Sequence, residues 1–384
     1  MENRLAKILA HKIGQDDLMD LLAATPYNSL IPILVDTMHL KAQQIKAHDI
    51  LSDIESKKKF YGPSSISQKE LCHFQQLFFQ IMPCKFESIQ LPPIAPLGIC
   101  SALTKLGQNE RLTTIRKSEV VSDSTLFLAA EAALMRKNRC KDPELLYTDI
   151  NLATFHRLLR LQAFDPSKNW SQHFEILGTI TTGRRFGHNS FRNSSIREHI
   201  QMWIDFFSLL NKNGYKYQDI VFTFSYIPLV EWIISRYNVD REKLNKNSMK
   251  SAYDYFSIYN VSMPRQVYSI TEIKNMLVNG GDSVTIYNSI YKFEEEVLKP
   301  LRSQNPNVQF FYELNRKQGL GYYNGICFHG SAKNTQGEEI DLIDGGSSDW
   351  VGQMLNDSHE ITISSSFGVE MGITQFPRNS NDQN

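Results

Sequence analysis

Two adjacent tyrosines lie between glycines in Gly319-Leu320-Gly321-Tyr322-Tyr323-Asn324-Gly325. Glycine lets backbone come close to a bound molecule, and Tyr322 and Tyr323 offer flat faces with hydroxyl tips. Downstream, IDLIDGGSSDW supplies Asp344, Gly345, Gly346 and Asp349. Upstream, Asp123, Ser124 and Thr125 precede an alanine-rich amphipathic stretch, where helix N-caps belong. Asp123 can therefore be read as a cap alone. Arg160, in FHRLLRLQ, carries a planar fork suited to two phosphate oxygens, or is a surface arginine on an edge strand. In GRRFGHNSFR, Arg184, Arg185, His188 and Arg192 share a glycine-containing run that leads into a helix. That pattern suits an anion site at a helix N-terminus, or a solvated connection.

The elements that would position these residues follow from periodicity. Leu5, Ile8 and Leu9, then Leu18, Leu21 and Leu22, then Leu30, Ile33, Leu34 and Met38 recur at helical spacing. Pro26 to Ser29 separates the second of these helices from the third. Residues 1–62 thus read as an N-terminal helical extension that packs on a main domain of residues 63–376, with a disordered tail at 377–384. From Ser67 a helix (QKELCHFQQLFFQI) leads to a strand (CKFESIQL) and a proline-rich exit. Residues 111–137 read as a β-type stretch ending at Arg116, then a helix. Residues 157–182 read as two antiparallel strands joined by a turn at Asp165-Pro166. Ser195 and Glu198 form the pattern of a capping box before a helix that Gly214 stops. Residues 219–233 read as strand then helix, residues 238–265 as polar loop, and residues 270–278 and 284–300 as helices. The remainder reads strand, glycine–tyrosine turn, strand, polar loop, strand, Asp344-Gly345-Gly346 turn, short helix, strand and helix start.

Composition bounds the function. The 384 residues allow one large or two ordinary domains at roughly 150 residues each. Apolar content of 41% and charged content of 21% are those of a soluble globular chain. Basic and acidic residues number 41 each, so no overall basic character points to nucleic acid. The five cysteines are scattered, without a C-x-x-C pair or a zinc spacing, and read as reduced thiols in a cytoplasm. The N-terminus lacks the apolar core of a signal peptide, and no apolar run reaches membrane-spanning length.

The order of these motifs resembles the catalytic core of histidyl-tRNA synthetase, a class II aminoacyl-tRNA synthetase, over about residues 64–376. In that family the tyrosine turn reads Arg-Gly-Leu-Asp-Tyr-Tyr-Thr-Gly, the next segment Gly-Gly-Gly-Arg-Tyr-Asp, and the last strand leads into Gly-Leu-Glu-Arg. The helix–strand–proline segment at 68–98 is similar to motif 1, which forms much of the family's dimer interface. Asp123-Ser124-Thr125 stand where the family has Glu-Gly-Thr, whose carboxylate holds the substrate's amino group, with extra residues after Arg116. Arg160-Leu161-Gln162 fall on the Arg-x-Glu of motif 2, whose arginine binds the α-phosphate, and Phe174 falls on its phenylalanine.

The resemblance implies an α+β fold, a mainly antiparallel sheet of about six strands flanked by helices. It also implies a homodimer built on residues 68–98. Its departures are systematic. Gln318 and Gly321 replace the arginine and aspartate of the tyrosine turn, Ser347 and Ser348 replace Arg-Tyr, and Gln375 replaces the motif 3 arginine. Ile176 and Ile180 occupy the positions that recognise the histidine substrate, and isoleucine cannot hydrogen-bond an imidazole. No segment long enough for an anticodon-binding domain follows the last motif. The expectation is a pocket lined by Asp123, Thr125, Arg160, Gln162, Tyr322, Tyr323, Asp344, Gly345, Gly346 and Asp349. Arg116 and Arg316 join it as remaining cations, Arg316 in the role left by Gln318. Such a site suits an amine or amino acid better than ATP, without tRNA charging. Two alternatives stand beside it. One is a ligase that forms an adenylate from ATP with Mg; the other is a regulatory subunit like that of ATP phosphoribosyltransferase.

Overall fold

The computed structural model describes residues 4–104, 108, 111–139, 142, 144–162, 170–184, 190–248, 250, 252–277 and 283–378. Its strands are β1 (Glu87–Ser88), β2 (Ile94–Pro96), β3 (Ser118–Val120), β4 (Ile150–Leu159), β5 (His173–Arg184), β6 (Gln218–Tyr226), β7 (Gln266–Val267), β8 (Gln309–Glu313), β9 (Ile326–Lys333), β10 (Glu339–Ser348) and β11 (Glu360–Gly368). Nine of them form one sheet in the order β1-β4-β5-β11-β10-β9-β6-β8-β7, and β2 pairs with β3 apart from it. Pairing is antiparallel except for β1 with β4 and β6 with β8. The six long strands are the antiparallel core, and short strands widen the sheet at both edges.

Side chains alternate across a pleated strand, so register fixes two faces. On one face Leu177, Phe222, Phe224, Phe328, Ile343, Ile363 and Phe367 form the main core with helices Gln68–Ile81 and Ser190–Lys212. His199 of the second helix reaches the sheet there. Its ring nitrogens contact Ser365 Oγ at 2.7 Å and Thr181 Oγ1 at 2.9 Å, and Trp203 Nε1 donates to the same serine at 2.9 Å. Burial pushes the His199 imidazole down to about 3, so this node is built around a neutral ring.

The opposite face is divided. Over β4 and β5, helix Ser124–Arg139 packs on Ile150, Leu152, Leu158 and Ile180 in a second core. Beyond that helix, register places polar and small residues on the same face. Ser364 and Ser366 of β11 are joined by Asp344 and Gly346 of β10, then by Cys327 and His329 of β9. A half-apolar, half-polar face is what a sheet only partly covered by helices requires.

Several local expectations change. Asp344, Gly345 and Gly346 lie inside β10 and form no turn. Their small size serves packing: a Cβ on Gly346 would stand 2.7 Å from that of Cys327, and one on Gly345 would stand 2.7 Å from that of Ser365. Helix Ser190–Lys212 begins before Ser195, which is buried within it and therefore caps nothing. Residues 241–247 and 255–258 are helical, with Asp240 and Asp254 accepting from backbone amides at their starts. The strand after the helix Gln68–Ile81 shrinks to Glu87–Ser88. The helix expected at 284–300 begins at Ser283 and carries a π-helical stretch at Glu294–Leu298. The Asp165-Pro166 turn and the tail from residue 379 lie outside the described residues. Among the described residues, no helix is long and apolar enough to cross a membrane.

Candidate functional site

The start of helix Ser124–Arg139 sits where the two halves of the divided face meet. A Cβ on Gly178 of β5 would meet Ser124 Oγ at 2.8 Å, so glycine there lets the helix end approach the sheet. Asp123 caps this end. Its Oδ1 accepts from the amides of Thr125 at 3.0 Å and Leu126 at 3.2 Å, and from the Thr125 hydroxyl at 2.8 Å. Its Oδ2 accepts from the Tyr322 hydroxyl at 2.7 Å, and that hydroxyl lies 2.9 Å from Thr125 Oγ1. The carboxylate is thus both a cap and the partner of a residue 199 positions away in sequence.

Tyr322 reaches Asp123 because the turn before it is tight. Gly319 and Gly321 have φ of 74° and 86°, a region that favours glycine. The amides of Tyr322 and Tyr323 both donate to Gly319 O at 3.0 Å. The two rings then diverge edge-on, with centroids 4.8 Å apart, and Trp350 packs against Tyr322 at 4.7 Å. Tyr323 is 5% exposed and its hydroxyl donates to Asp344 Oδ2 at 2.8 Å. Burial first, then the adjacent carboxylate (Asp123 for Tyr322, Asp344 for Tyr323), raises both phenols well above their ordinary range. Both therefore act as hydrogen-bond donors.

Asp344 joins a second set of charges. Arg316, fully buried, donates from Nη2 to Asp344 Oδ1 at 2.7 Å and from Nε to Gln318 O at 2.8 Å. His329 Nε2 lies 3.2 Å from the same carboxylate oxygen, and its Nδ1 lies 3.9 Å from Glu313 Oε2. Partial burial opposes ionisation of Asp344. The hydrogen bond from His329, the Arg316 and His329 charges and the Tyr323 hydroxyl outweigh it and hold the carboxyl down at about 2. Its side chain is 44% exposed, so this ionised group is reachable from solvent.

Arg160, half-buried at the end of β4, donates from Nε to Ser122 O at 2.8 Å and lies over the Phe174 ring at 5.5 Å. It thereby adjoins the Asp123 segment. The structure thus links Asp123, Thr125 and Tyr322 directly, adds Arg160 through Ser122, and joins Tyr323, Asp344 and Arg316 through the ring pair. Gly346 lies on the same face of β10 as Asp344, and Gly345 faces the other core. Gln162 contacts Gln172, whose Nε2 donates to its carbonyl at 3.5 Å. Asp349 is exposed and bonded to Gln353 Nε2 at 2.7 Å, without a bond to the tyrosine cluster.

Arg116 departs from expectation. It lies exposed in the turn between Thr114 and Ser118, where β3 begins, and not beside Asp123. The residues between it and Asp123 form β3, which carries the chain away from that turn. Of the basic run, Arg184 pairs with Asp357 at 2.9 Å. Arg192 lies 3.5 Å from where a Cβ on Gly325 would stand, beside Ser347 on the main-core face. Arg185 and His188 lie outside the described residues. The residues that sequence reading passed over are His329, Glu313 and Trp350. Alternation in Cys327-Phe328-His329-Gly330-Ser331 could have flagged His329 as facing the polar side.

Register places Ile176 and Ile180 on the same face as Gly178, opposite Gly368 and Ser364. The residues present offer Mg-ATP fewer cations than the resemblance implies, with Arg160 retained. Gln318, Ser347, Ser348 and Gln375 carry no charge, and Arg316 is committed to Asp344. Among the described residues, no group of three or more His, Cys, Asp or Glu side chains is placed to hold a metal ion.

No protein-family model and no curated protein matches the sequence. Solved structures do. The chain is similar to an ATP phosphoribosyltransferase regulatory subunit/histidyl-tRNA synthetase from Bacillus halodurans C, with a TM-score of 0.58 and 13% identity over 80% of this chain and 78% of that one. It is similar to a histidine–tRNA ligase subunit from Alicyclobacillus acidocaldarius, with a TM-score of 0.58 and 10% identity over 81% and 95%. It is also similar to histidyl-tRNA synthetase from Nostoc sp. PCC 7120, with a TM-score of 0.56 and 14% identity over 81% and 72%. The chain has the class II aminoacyl-tRNA synthetase-like fold, in the form shared by histidyl-tRNA synthetases and the regulatory subunit of ATP phosphoribosyltransferase.

Proposed function

We propose that this chain is a histidyl-tRNA synthetase-like paralogue that works outside translation. It binds an amino-acid-like or amine small molecule on the divided face of its sheet and does not charge tRNA. The observation that carries this reading is the pair of carboxylates held beside the twin tyrosines. Asp344 is ionised and 44% exposed, and Asp123 presents a carboxylate at a tyrosine edge. A carboxylate next to an aromatic ring is a seat for an ammonium group. Of the cations that a triphosphate would need, those expected at Gln318 and Gln375 are replaced and Arg316 is paired with Asp344, which leaves Arg160. The protein works as a homodimer through residues 68–98.

Calorimetric titration tests the reading. Amino acids and small amines are expected to bind at micromolar to millimolar levels, and Mg-ATP is not. Asp123→Asn and Tyr323→Ala should each weaken the amine by about tenfold, or ~1–2 kcal/mol. Micromolar Mg-ATP binding would transfer support to an adenylate-forming ligase. The regulatory-subunit alternative has one specific observation in its favour: the Tyr322 hydroxyl already occupies Asp123 and Thr125. Failure of every amine to bind, together with a protein partner that survives gel filtration, would favour that alternative.

A further inference from the structure

One row of the divided face runs from the capped helix to the ion pair. Register sets Gly178 of β5 opposite Ser366 of β11, Ser366 opposite Asp344 of β10, and Asp344 opposite His329 of β9. Ser124 covers Gly178, so Asp123 and Asp344 stand about two strand spacings apart, roughly 10 Å. Ser366, half-buried, lies between them. Each carboxylate meets one tyrosine hydroxyl through its Oδ2, Tyr322 at Asp123 and Tyr323 at Asp344. A carboxylate oxygen has two acceptor sites, so each Oδ2 keeps one.

The Asp344 end is more acidic than one ion pair needs. A β-bulge falls between Asp341 and Ile343, so that Asp341 pairs with Ser331 and Asp344 with His329. Residues three apart in an unbroken strand face opposite sides, and the bulge turns both aspartates to the His329 side. Phe311 of β8 pairs with Thr223, and Thr223 with His329, so alternation puts Glu313 on this face too. Glu313 Oε2 is buried without a hydrogen-bond donor among the described residues, and His329 Nδ1 lies 3.9 Å away, beyond bonding distance. Arg316 and His329 both approach Asp344 Oδ1.

The floor between the two ends also has open polar groups. Ser124 and Ser364 are each 1% exposed, and neither hydroxyl has a partner among the described residues. Ser124 Oγ points at Gly178, and Ser364 shares the face of Ser366 on β11. A buried hydroxyl left unpaired is destabilising. An ammonium group brings three donors, enough for a carboxylate oxygen and a neighbouring hydroxyl together.

We infer that the ligand of this face carries two ammonium groups on a short aliphatic chain, one seated at Asp123 and the other at Asp344, as in a diamine or a dibasic amino acid. This rests on the amine-binding reading and adds the class of amine. At about 1.2 Å per extended bond, a five-carbon diamine spans ~7 Å, and a ~2.8 Å hydrogen bond at each end, met at an angle, closes the gap.

Calorimetric titration of the full chain with matched ligands tests it. One pair is 1,5-diaminopentane and 1-aminopentane; the other is L-lysine and L-norleucine. In the pair that binds, the dication should bind at least tenfold tighter than its partner, and which pair binds tells a free diamine from a dibasic amino acid. 1,3-Diaminopropane, too short to reach both seats, should bind no better than 1-aminopentane. Asp344→Asn should weaken the dication about tenfold and leave the monocation unchanged, and Glu313→Gln should act in the same direction by a smaller factor. The wild-type comparison needs no variant, so it decides the matter even if Asp344→Asn fails to fold. Equal binding of dication and monocation overturns this inference and leaves the amine-binding reading standing. A monocation weakened as much as the dication by Asp344→Asn puts a single amine at Asp344 and also overturns it. Absence of binding by both pairs overturns the inference together with the reading it rests on.

Discussion

At the scale of single residues, the twin tyrosines do different work. Tyr322 bridges a helix cap and Tyr323 anchors the half-exposed Arg316–Asp344 ion pair. Removing the Tyr322 hydroxyl leaves Asp123 its backbone donors but takes away a bond to a charged acceptor. Tyr322→Phe should therefore destabilise the fold by about 1.5 kcal/mol in urea unfolding. No change would mean that water replaces the hydroxyl at no cost. Asp344 has a pH signature. Its folded pKa, about 2, is below the ~3.9 of an unfolded aspartate, so its stabilisation is complete above pH ~4 and is lost as pH falls through about 2. Asp344→Asn should be less stable than wild type at neutral pH. The loss should be smaller than the ~3–5 kcal/mol of a fully buried pair, because the carboxylate is 44% exposed. The gap should close between pH ~4 and ~2; a gap that stays constant with pH would remove Asp344 from the ionised set. The tyrosines and both aspartates were visible in the sequence through their glycine and N-cap settings. Arg316 could be suggested only from its nearness to Gln318, because its partner lies on another strand. Arg116 misled, since a hairpin turn and a site segment look alike until β3 is known to lie between.

At the scale of elements, strand order was the most legible feature. β5, β9 and β11 fall where the sequence reads strand, whereas β4 begins at Ile150, ahead of the expected 157. The short edge strands β1 and β7 carry no clear period, having two residues each. The glycines of β10 were misassigned to a turn for a physical reason. Glycine is used both for unusual backbone angles and for close packing, and only the neighbouring strands tell which applies. One element contact makes a pH prediction. Helix Ser190–Lys212 is tied to the sheet through neutral His199, whose pKa falls from an ordinary ~6.5 to about 3 on folding. The unfolded chain then binds a proton that the folded one does not. Stability from this group is full above pH ~6.5 and declines by about 1.4 kcal/mol per pH unit below it, until pH approaches 3. His199→Gln should remove about that slope from chemical denaturation curves taken between pH ~6 and ~4. His156, also lowered by burial, keeps its own share in both proteins. Equal slopes in variant and wild type would show that His199 is protonated in the fold.

At the scale of the whole molecule, the proposed reading separates the fold from the chemistry. A class II-like sheet persists at 10–14% identity to solved relatives because it depends on alternation and register, which many sequences satisfy. A reaction depends on particular charges at particular points. The sequence could report the charges, since Gln318 and Gln375 stand where the resemblance places arginines. It could not report that Arg316, the candidate replacement, is buried against Asp344. Adenylation concentrates negative charge on the oxygens around a pentacoordinate phosphorus, and fixed cations in a dry site stabilise it. Each missing cation should cost on the order of 10²–10³ in rate, so two together place the reaction beyond ordinary detection. Ile176 and Ile180 add a separate barrier, because they give an imidazole no hydrogen-bond partner. The purified protein, incubated with histidine, Mg-ATP and tRNA, is expected to form no histidyl-tRNA and to release no pyrophosphate. A pyrophosphate signal without acylation would point to adenylate formation on a different acid. Histidyl-tRNA that disappears in Arg160→Ala would place the whole reaction on this face and overturn the proposed separation of fold from chemistry.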